Sequence, residues 1–242
     1  MNVATRRATA TTNLRFTLGG PEFEAGLRKV LARDPDLLFI QEAGHDRDHI
    51  LDRVAADLGY LWARPLSPNG DPVEPIMWRP DRLRLRHLGT VLLARGEFVG
   101  HLPGRKDRLP ASYATEAIFD DLVHPGKRVA ALGYHLTAEV ESPGGGYRLD
   151  PRHLLRVLRH QRERRRLGRR ARAHKRHGHV VRLGGDGNYD RMTIRGFVSC
   201  WVGHGGGSLG WRAVDAIHAE QGTDDMVTIT TPSDHDAVVA YY

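Results

Sequence analysis

His179-Val180-Val181-Arg182-Leu183-Gly184-Gly185-Asp186-Gly187-Asn188 is the stretch on which the fold turns. Its first half, through Leu183, is short, apolar and β-branched and reads as a buried strand. Glycines then break the run, and an acid and an amide follow two residues apart. If the backbone stays extended, Asp186 and Asn188 leave the strand end on the same side. A carboxylate and a carboxamide converging there suit a hard cation, a polarised water or a phosphate oxygen. Gly, Asp and Asn are equally the residues of a plain turn, so the rest of the chain decides between the two.

Other stretches repeat the pattern of an apolar strand with polar residues at its end. Asn2 to Phe16 reads as an opening strand that delivers Asn13. Asp36-Leu37-Leu38-Phe39-Ile40-Gln41-Glu42 reads as a buried strand ending in Glu42. A carboxylate at the C-terminal edge of such a strand is what a metal site on an α/β sheet needs. Arg128 to Leu136 is a further buried strand with His135 near its end. Ala213 to Ala219 carries Asp215 inside an apolar run, where a buried acid needs a partner. Pro232-Ser233-Asp234-His235-Asp236 is a polar corner leading into a last apolar strand, Ala237 to Tyr242.

Between these, apolar spacing places helices over Pro21–Asp34, stopped by Pro35, and over His45–Leu58. Pro75–Asp81, Leu83–Leu93, Tyr113–Phe119 and Ile194–Trp201 read as strands, Asn69-Gly70 as a turn, and Gly96–Pro110 and His204–Ser208 as loops. Pro143–Gly146 reads as a flexible connection. A long helix should begin near Asp150-Pro151, with Asp at the N-cap and Pro at the first helical position. No internal repeat or linker divides the chain, so residues 1–242 are expected to form one domain.

With 242 residues, 40% of them hydrophobic, the chain can form a sizeable core. No apolar run reaches the length of a membrane span, and no secretory signal stands at the N-terminus. The single Cys200 excludes a disulfide framework and a cysteine-clustered zinc site, and reads as a small core filler. A reducing, cytoplasmic setting and a monomer are expected. Net charge is +7. Between Pro151 and Arg182, thirteen Lys and Arg face the single acid Glu163, so this segment alone exceeds the charge of the whole chain. Such a block points to a polyanion partner or substrate. A solvated outer face is the other reading.

Taken in chain order, Asn13-Leu14-Arg15, Gln41-Glu42, His135-Leu136, Gly185-Asp186-Gly187-Asn188, Val214-Asp215-Ala216-Ile217 and Ser233-Asp234-His235 resemble the motifs of the endonuclease/exonuclease/phosphatase superfamily, the DNase-I-like metal-dependent phosphoesterases. Each motif alone is weak, and their joint occurrence in the family's order is specific. The resemblance implies an α/β four-layered sandwich, two mostly antiparallel sheets face to face with helices outside and the active site at one edge. It implies Mg²⁺, with Mn²⁺ able to substitute. It implies that Glu42, Asn13 and Asp234 hold the metal and that Asp186 orients or deprotonates water. Asn188 would help hold the phosphate. His235 would act at the scissile phosphate with Asp215 as its carboxylate partner, and His135 would be the second histidine of the nuclease branch. Arg108 and Tyr113 are candidates for a further phosphate contact. His135 needs an acidic partner, for which Asp71 and Glu74 both stand open.

The function implied is Mg²⁺-dependent hydrolysis of nucleic-acid phosphodiester bonds, as an endonuclease. Two alternatives stay open: the same chemistry on a small phosphoester such as a nucleotide, inositol phosphate or lipid headgroup, and a nucleic-acid-binding protein with a catalytically weak site. For the arginine-rich segment, contact with a phosphate backbone is the favoured reading. The family's helix at that position packs outside the sandwich. The other histidines, among them His174, read as surface residues.

Overall fold

A computed structural model describes residues 7–102, 105–142, 145–151 and 153–242. The first sheet has strand order β13-β14-β1-β2-β4-β3, built from β1 (Ala8–Asn13), β2 (Leu37–Gln41), β3 (Leu61–Ala63), β4 (Ile76–Trp78), β13 (Asp225–Ile229) and β14 (Ala237–Tyr241). The second has order β11-β12-β10-β9-β8-β5, from β5 (Leu83–Ala94), β8 (Ser112–Asp121), β9 (Arg128–His135), β10 (Val180–Asp186), β11 (Val198–Ser199) and β12 (Asp215–Ala219). β1 runs parallel to β2, and β9 to β10; the other pairs are antiparallel.

Strand alternation explains the layers. In β2, Leu37 and Phe39 join Ile76, Trp78, Ala117, Phe119 and Ala131 in the core between the sheets. Leu38 and Ile40 turn the other way, onto helices α1 (Gly20–Leu31) and α2 (Asp48–Leu58). With both faces covered, the strand must be apolar throughout, which is why it reads as an unbroken run. On the far side, Leu167 and Ala171 of α3 (Leu154–Arg176) pack on Leu132, Val181 and Leu183. The α/β sandwich expected from the sequence is therefore the architecture found. Cys200 is a buried member of the core with Ala216, Ile217, Val238 and Ala240.

Gly184 sets how closely the sheets approach. A Cβ there would lie 2.1 Å from Cδ2 of the fully buried Phe39. Gly184→Ala should therefore cost about 1–3 kcal/mol of folding stability through overpacking, read as a lower denaturant midpoint at unchanged slope.

Several boundaries differ from the sequence reading. Gly96–Pro110 is not a loop: β6 (Glu97–Leu102) and β7 (Arg105–Leu109) pair as a separate hairpin. Its second strand, Arg-Lys-Asp-Arg-Leu, has no apolar face to announce it. The edge strands β3 and β13 escape notice because they are short, at three and five residues. The strand expected over Ile194–Trp201 shrinks to Val198–Ser199, because Phe197 N–H turns back to Ile194 O and Gly196 takes φ +90°. Helix α3 starts at Leu154, not at Asp150-Pro151; Asp150 spends its carboxylate on the His153 ring, at 2.9 Å, and its carbonyl on the amides of His153 and Leu154. Part of the opening strand, of the 143–146 connection and of this helix start falls on residues 1–6, 143–144 and 152, outside the described residues. Among the described residues, no helix is long and apolar enough to cross a membrane.

Many of the arginines of α3 are engaged by other groups of the chain, one of them in the core and the others at the surface. Arg159 is 2% exposed and donates to Glu163 at 3.1 Å, Thr137 at 3.1 Å and the carbonyl of Arg95 at 3.0 Å. Arg162 pairs with Glu97, Arg170 with Glu116 and Lys175 with Glu220, while Arg166 and Arg172 bond carbonyls of Leu93 and Arg195. Arg162, Arg170 and Lys175 stay exposed despite their ion pairs, as do Arg165, Arg169 and Arg176. The helix covers the outer face of the second sheet, so much of its charge serves packing.

Glu116 is the acid at this interface. Burial pushes its carboxyl up, but Arg170 and His174 outweigh that and hold it down at about 2. A depressed carboxyl contributes stability above its unfolded value, near 4.5, and that contribution is lost as pH falls from there through about 2. The unfolding midpoint of the wild type should therefore drop more steeply between pH 5 and about 2.5 than that of Glu116→Gln, as followed by urea titration at each pH.

Candidate active site

Topology brings the polar strand ends together. Because β1 parallels β2 and β9 parallels β10, Asn13, Glu42, His135 and Asp186 emerge at one edge of the sandwich. Because β12 and β14 run the other way, the same edge receives the start of β12, with Asp215, and the residues just before β14, with His235. Asp186 is opposite both His135 and Asp215 in register.

Asn13 is the hinge of the cluster. Its Nδ2 donates to Glu42 Oε1 and to Asp186 Oδ2, both at 3.1 Å. Its Oδ1 is buried with no hydrogen-bond partner. Glu42 follows β2 with φ +59°, a left-handed conformation unfavourable for a residue with a Cβ, which swings its carboxylate over the strand end. Its other oxygen accepts from the Phe16 amide at 3.3 Å. Asp186, 1% exposed, also accepts from the Asn188 amide at 2.6 Å. Asn188 takes φ +49° and donates its side-chain amide to Leu136 O at 2.9 Å. Its backbone thus caps Asp186 while its side chain locks the neighbouring strand end.

Two histidines flank this centre. His235 Nδ1 lies 2.6 Å from Asp215 Oδ2. A carboxylate only accepts, so Nδ1 carries the proton and Nε2 is the free edge. Burial pushes the ring's pKa down, and the Asp215 bond overrides it, raising the value to about 9. Asp215, fully buried, is itself raised by burial and by nearby Asp186, with His235 opposing. Its Oδ1 has no partner. Ligand atoms of Asp186, Asp215 and His235 all lie within 4.8 Å of one another.

His135 Nε2 is 3.7 Å from Asp186 and 4.0 Å from Glu42, and its Nδ1 is 3.5 Å from Glu74. Glu74, not Asp71, is therefore the acid beside it. Burial lowers the His135 pKa, and Glu74 and Asp186 raise it to about 9. Four carboxylates face two imidazoles here, an arrangement suited to a cation.

The remaining candidates stand further out. Asp234 is at the rim, half exposed and paired with Arg15 at 3.1 Å. Arg108 lies in the separate hairpin, its guanidinium 5.8 Å above the Phe98 ring. Tyr113 sits two residues before Thr115, which pairs with Gly133, so the register carries it alongside the His135 end of β9. Sequence reasoning missed the supports. Ser208 accepts the Asp215 amide at 2.9 Å, and His160 of α3 reaches Gly187 O at 2.7 Å from behind. Ser208 lies seven residues before Asp215 in a glycine-rich loop, and His160 acts from 27 residues away, so neither carries a local signal.

No protein-family model matches the chain, and no curated protein matches it. Solved structures do. An endonuclease/exonuclease/phosphatase family protein from Bacteroides thetaiotaomicron superposes with a TM-score of 0.67 at 16% identity, covering 98% of this chain and 94% of that one. The human Nocturnin catalytic domain with bound sulfate gives 0.62 at 17%, covering 98% and 92%. D. rerio TDP2 complexed with single strand DNA product gives 0.60 at 16%, covering 98% of each chain. At such identities the likeness establishes the fold, which is that of the endonuclease/exonuclease/phosphatase structures.

Proposed function

On this fold, we propose that the chain is a divalent-metal-dependent phosphodiesterase that cuts nucleic acid internally, with Mg²⁺ as its ion and Mn²⁺ able to replace it. The observation that carries the reading is the meeting of Asn13, Glu42, His135, Asp186, Asp215 and His235 at one edge, from strands spread over the whole chain.

The donor set fits a hard cation. Asn13 Oδ1 is a buried oxygen without a partner, beside the Glu42 and Asp186 carboxylates. Glu42 and Asn13 would hold the ion, with Asp186 next to them and Asp234 at the rim. When bound, such an ion neutralises the phosphate and stabilises the leaving oxygen. The chain's own groups do the rest. Asp186, held by two hydrogen bonds, orients the attacking water and takes its proton. His235 presents Nε2 to a phosphate oxygen, its tautomer fixed by Asp215. His135 adds a second positive edge, and Asn188 keeps the Asp186 turn in place beside the phosphate.

Nucleic acid as the substrate is supported by the net charge of +7 and by the likeness to a TDP2 structure holding a single-stranded DNA product. The internal pairing of the α3 arginines favours a second reading, hydrolysis of a small phosphoester, because it removes much of the apparent polyanion surface. A panel of circular DNA, linear DNA, RNA, nucleotides and inositol phosphates with Mg²⁺ tests the two. Nicking of the circular DNA, or internal cuts in RNA, is expected. Turnover of a small phosphoester with all polymers intact would select the second reading. The buried Cys200 fits the reducing cytoplasm as the setting.

A further inference from the structure

At the end of the molecule where α3 finishes, a histidine cluster lies outside the catalytic edge. The sequence there is His174-Lys175-Arg176-His177-Gly178-His179. Helix α3 ends at Arg176, and Gly178 takes φ +78°, a turn that folds the chain back so that His179 N–H reaches His174 O at 3.2 Å. The turn stacks the two rings at an interplanar angle of 22° and brings His174 Nδ1 within 3.2 Å of His179 Nδ1. His174 is not a surface residue, as its sequence context suggested, but 4% exposed.

The orientation of His174 is fixed from behind. Its Nε2 lies 3.0 Å from Glu116 Oε2. The carboxylate accepts only, so Nε2 carries a hydrogen, and in the neutral ring the lone pair is on Nδ1, facing His179. A carboxylate that orients a histidine in this way, leaving the other nitrogen free, is the outer support of protein metal sites. Burial, the largest cause, lowers the His179 pKa below the usual value, so its ring is neutral and has a lone pair at neutral pH. Zinc–nitrogen bonds of about 2.0–2.1 Å at tetrahedral angles put two nitrogens roughly 3.3–3.4 Å apart. The observed separation is within about 0.2 Å of that bite.

We propose that His174 and His179 form a second metal site, distinct from the catalytic cluster, for an imidazole-preferring transition ion of the Zn²⁺ type. The ligand chemistry separates the two sites. The catalytic edge offers mainly carboxylate and amide oxygens, which suit Mg²⁺ or Mn²⁺; the α3 end offers ring nitrogens, which suit Zn²⁺, Co²⁺ or Cu²⁺. His177 is exposed, its ring centroid 6.4 Å from that of His179, and rotates in as a third ligand, with water completing the shell. On binding, neutral His179 moves its proton from Nδ1 to Nε2, so both Nδ1 lone pairs face the ion. The ion then clips the end of α3 to the start of β10 and, through Glu116, to β8.

The test uses the whole chain. Thermal unfolding with added Zn²⁺ should rise by roughly 5–10 °C when free zinc is about 100 times its dissociation constant. Co²⁺ should give visible ligand-field absorption. Both signals should be lost in His179→Gln and retained in Asp186→Asn, which separates this site from the catalytic one. Imidazole NMR on the wild type gives a reading independent of any variant: the signals of His174 and His179 should move first on zinc addition. Equal zinc shifts in wild type and His179→Gln, or imidazole signals that move only for His135 and His235, would overturn the proposal and leave the pair as a simple N–H···N hydrogen bond.

Discussion

His235→Ala should lower kcat for phosphodiester hydrolysis by about 10²–10⁴-fold while KM changes little. In the proposed mechanism the ring meets the phosphate only through Nε2, since Nδ1 is held by Asp215 at 2.6 Å. The interaction it makes there grows as charge moves onto oxygen, so its loss appears in kcat. Asp215→Asn should also reduce kcat, because an amide facing Nδ1 can donate to it and favour the wrong tautomer. The pair acts as a unit, so the double variant should cost little beyond His235→Ala alone. Additive losses in the steady-state kinetics would show instead that the two residues work separately.

Glu163→Ala should destabilise the fold by about 3–5 kcal/mol, because it strands a buried guanidinium. Glu163 is fully buried and is the only acid in the basic segment. Its carboxylate accepts from Ser112 Oγ at 2.6 Å, from the Thr137 amide and hydroxyl at 2.9 Å each, and from Arg159 Nε at 3.1 Å. Removing it leaves Arg159 with carbonyl and hydroxyl acceptors and the more distant carboxylate of Glu97, at 3.9 Å, and takes away the acceptor of the Thr137 amide. Domains have roughly 5–15 kcal/mol in all, so the variant should unfold at much lower urea concentration. Glu163→Gln keeps a carbonyl acceptor and should lose less. Equal urea midpoints for wild type and Glu163→Ala would mean that α3 is not anchored through this acid.

The parts legible from sequence were those where burial acts on both faces of a strand. Leu37–Ile40, Val129–Leu132 and Val180–Leu183 read as strands because the core and a helix cover opposite sides, and each run ends where polar residues reach the edge. The candidate site followed in part from the same logic, since Glu42, His135 and Asp186 stand just past those runs, while Asn13 ends the threonine-rich β1. Elements under weaker burial left weaker marks. The edge strands at 61–63 and 225–229 are three and five residues long, too short to set a pattern, and the hairpin at 97–109 is interrupted by Gly100 and carries a charged second strand. Side-chain partnership was the least legible. Arg170 meets Glu116 and Arg162 meets Glu97 across more than fifty positions, so a block that suggested a nucleic-acid surface is in large part a set of internal pairs. The burial of His174 was hidden for the same reason, because Glu116 is equally distant in the chain.

Chelation provides the most direct test of the catalytic site. A labelled single-stranded oligonucleotide should be cut by the purified protein with Mg²⁺, left whole in excess EDTA, and cut again when Mg²⁺ or Mn²⁺ is restored, with Asp186→Asn inactive throughout. Cleavage that continues in EDTA, or that survives unchanged in Asp186→Asn, would contradict a metal-dependent site built on Asn13, Glu42 and Asp186.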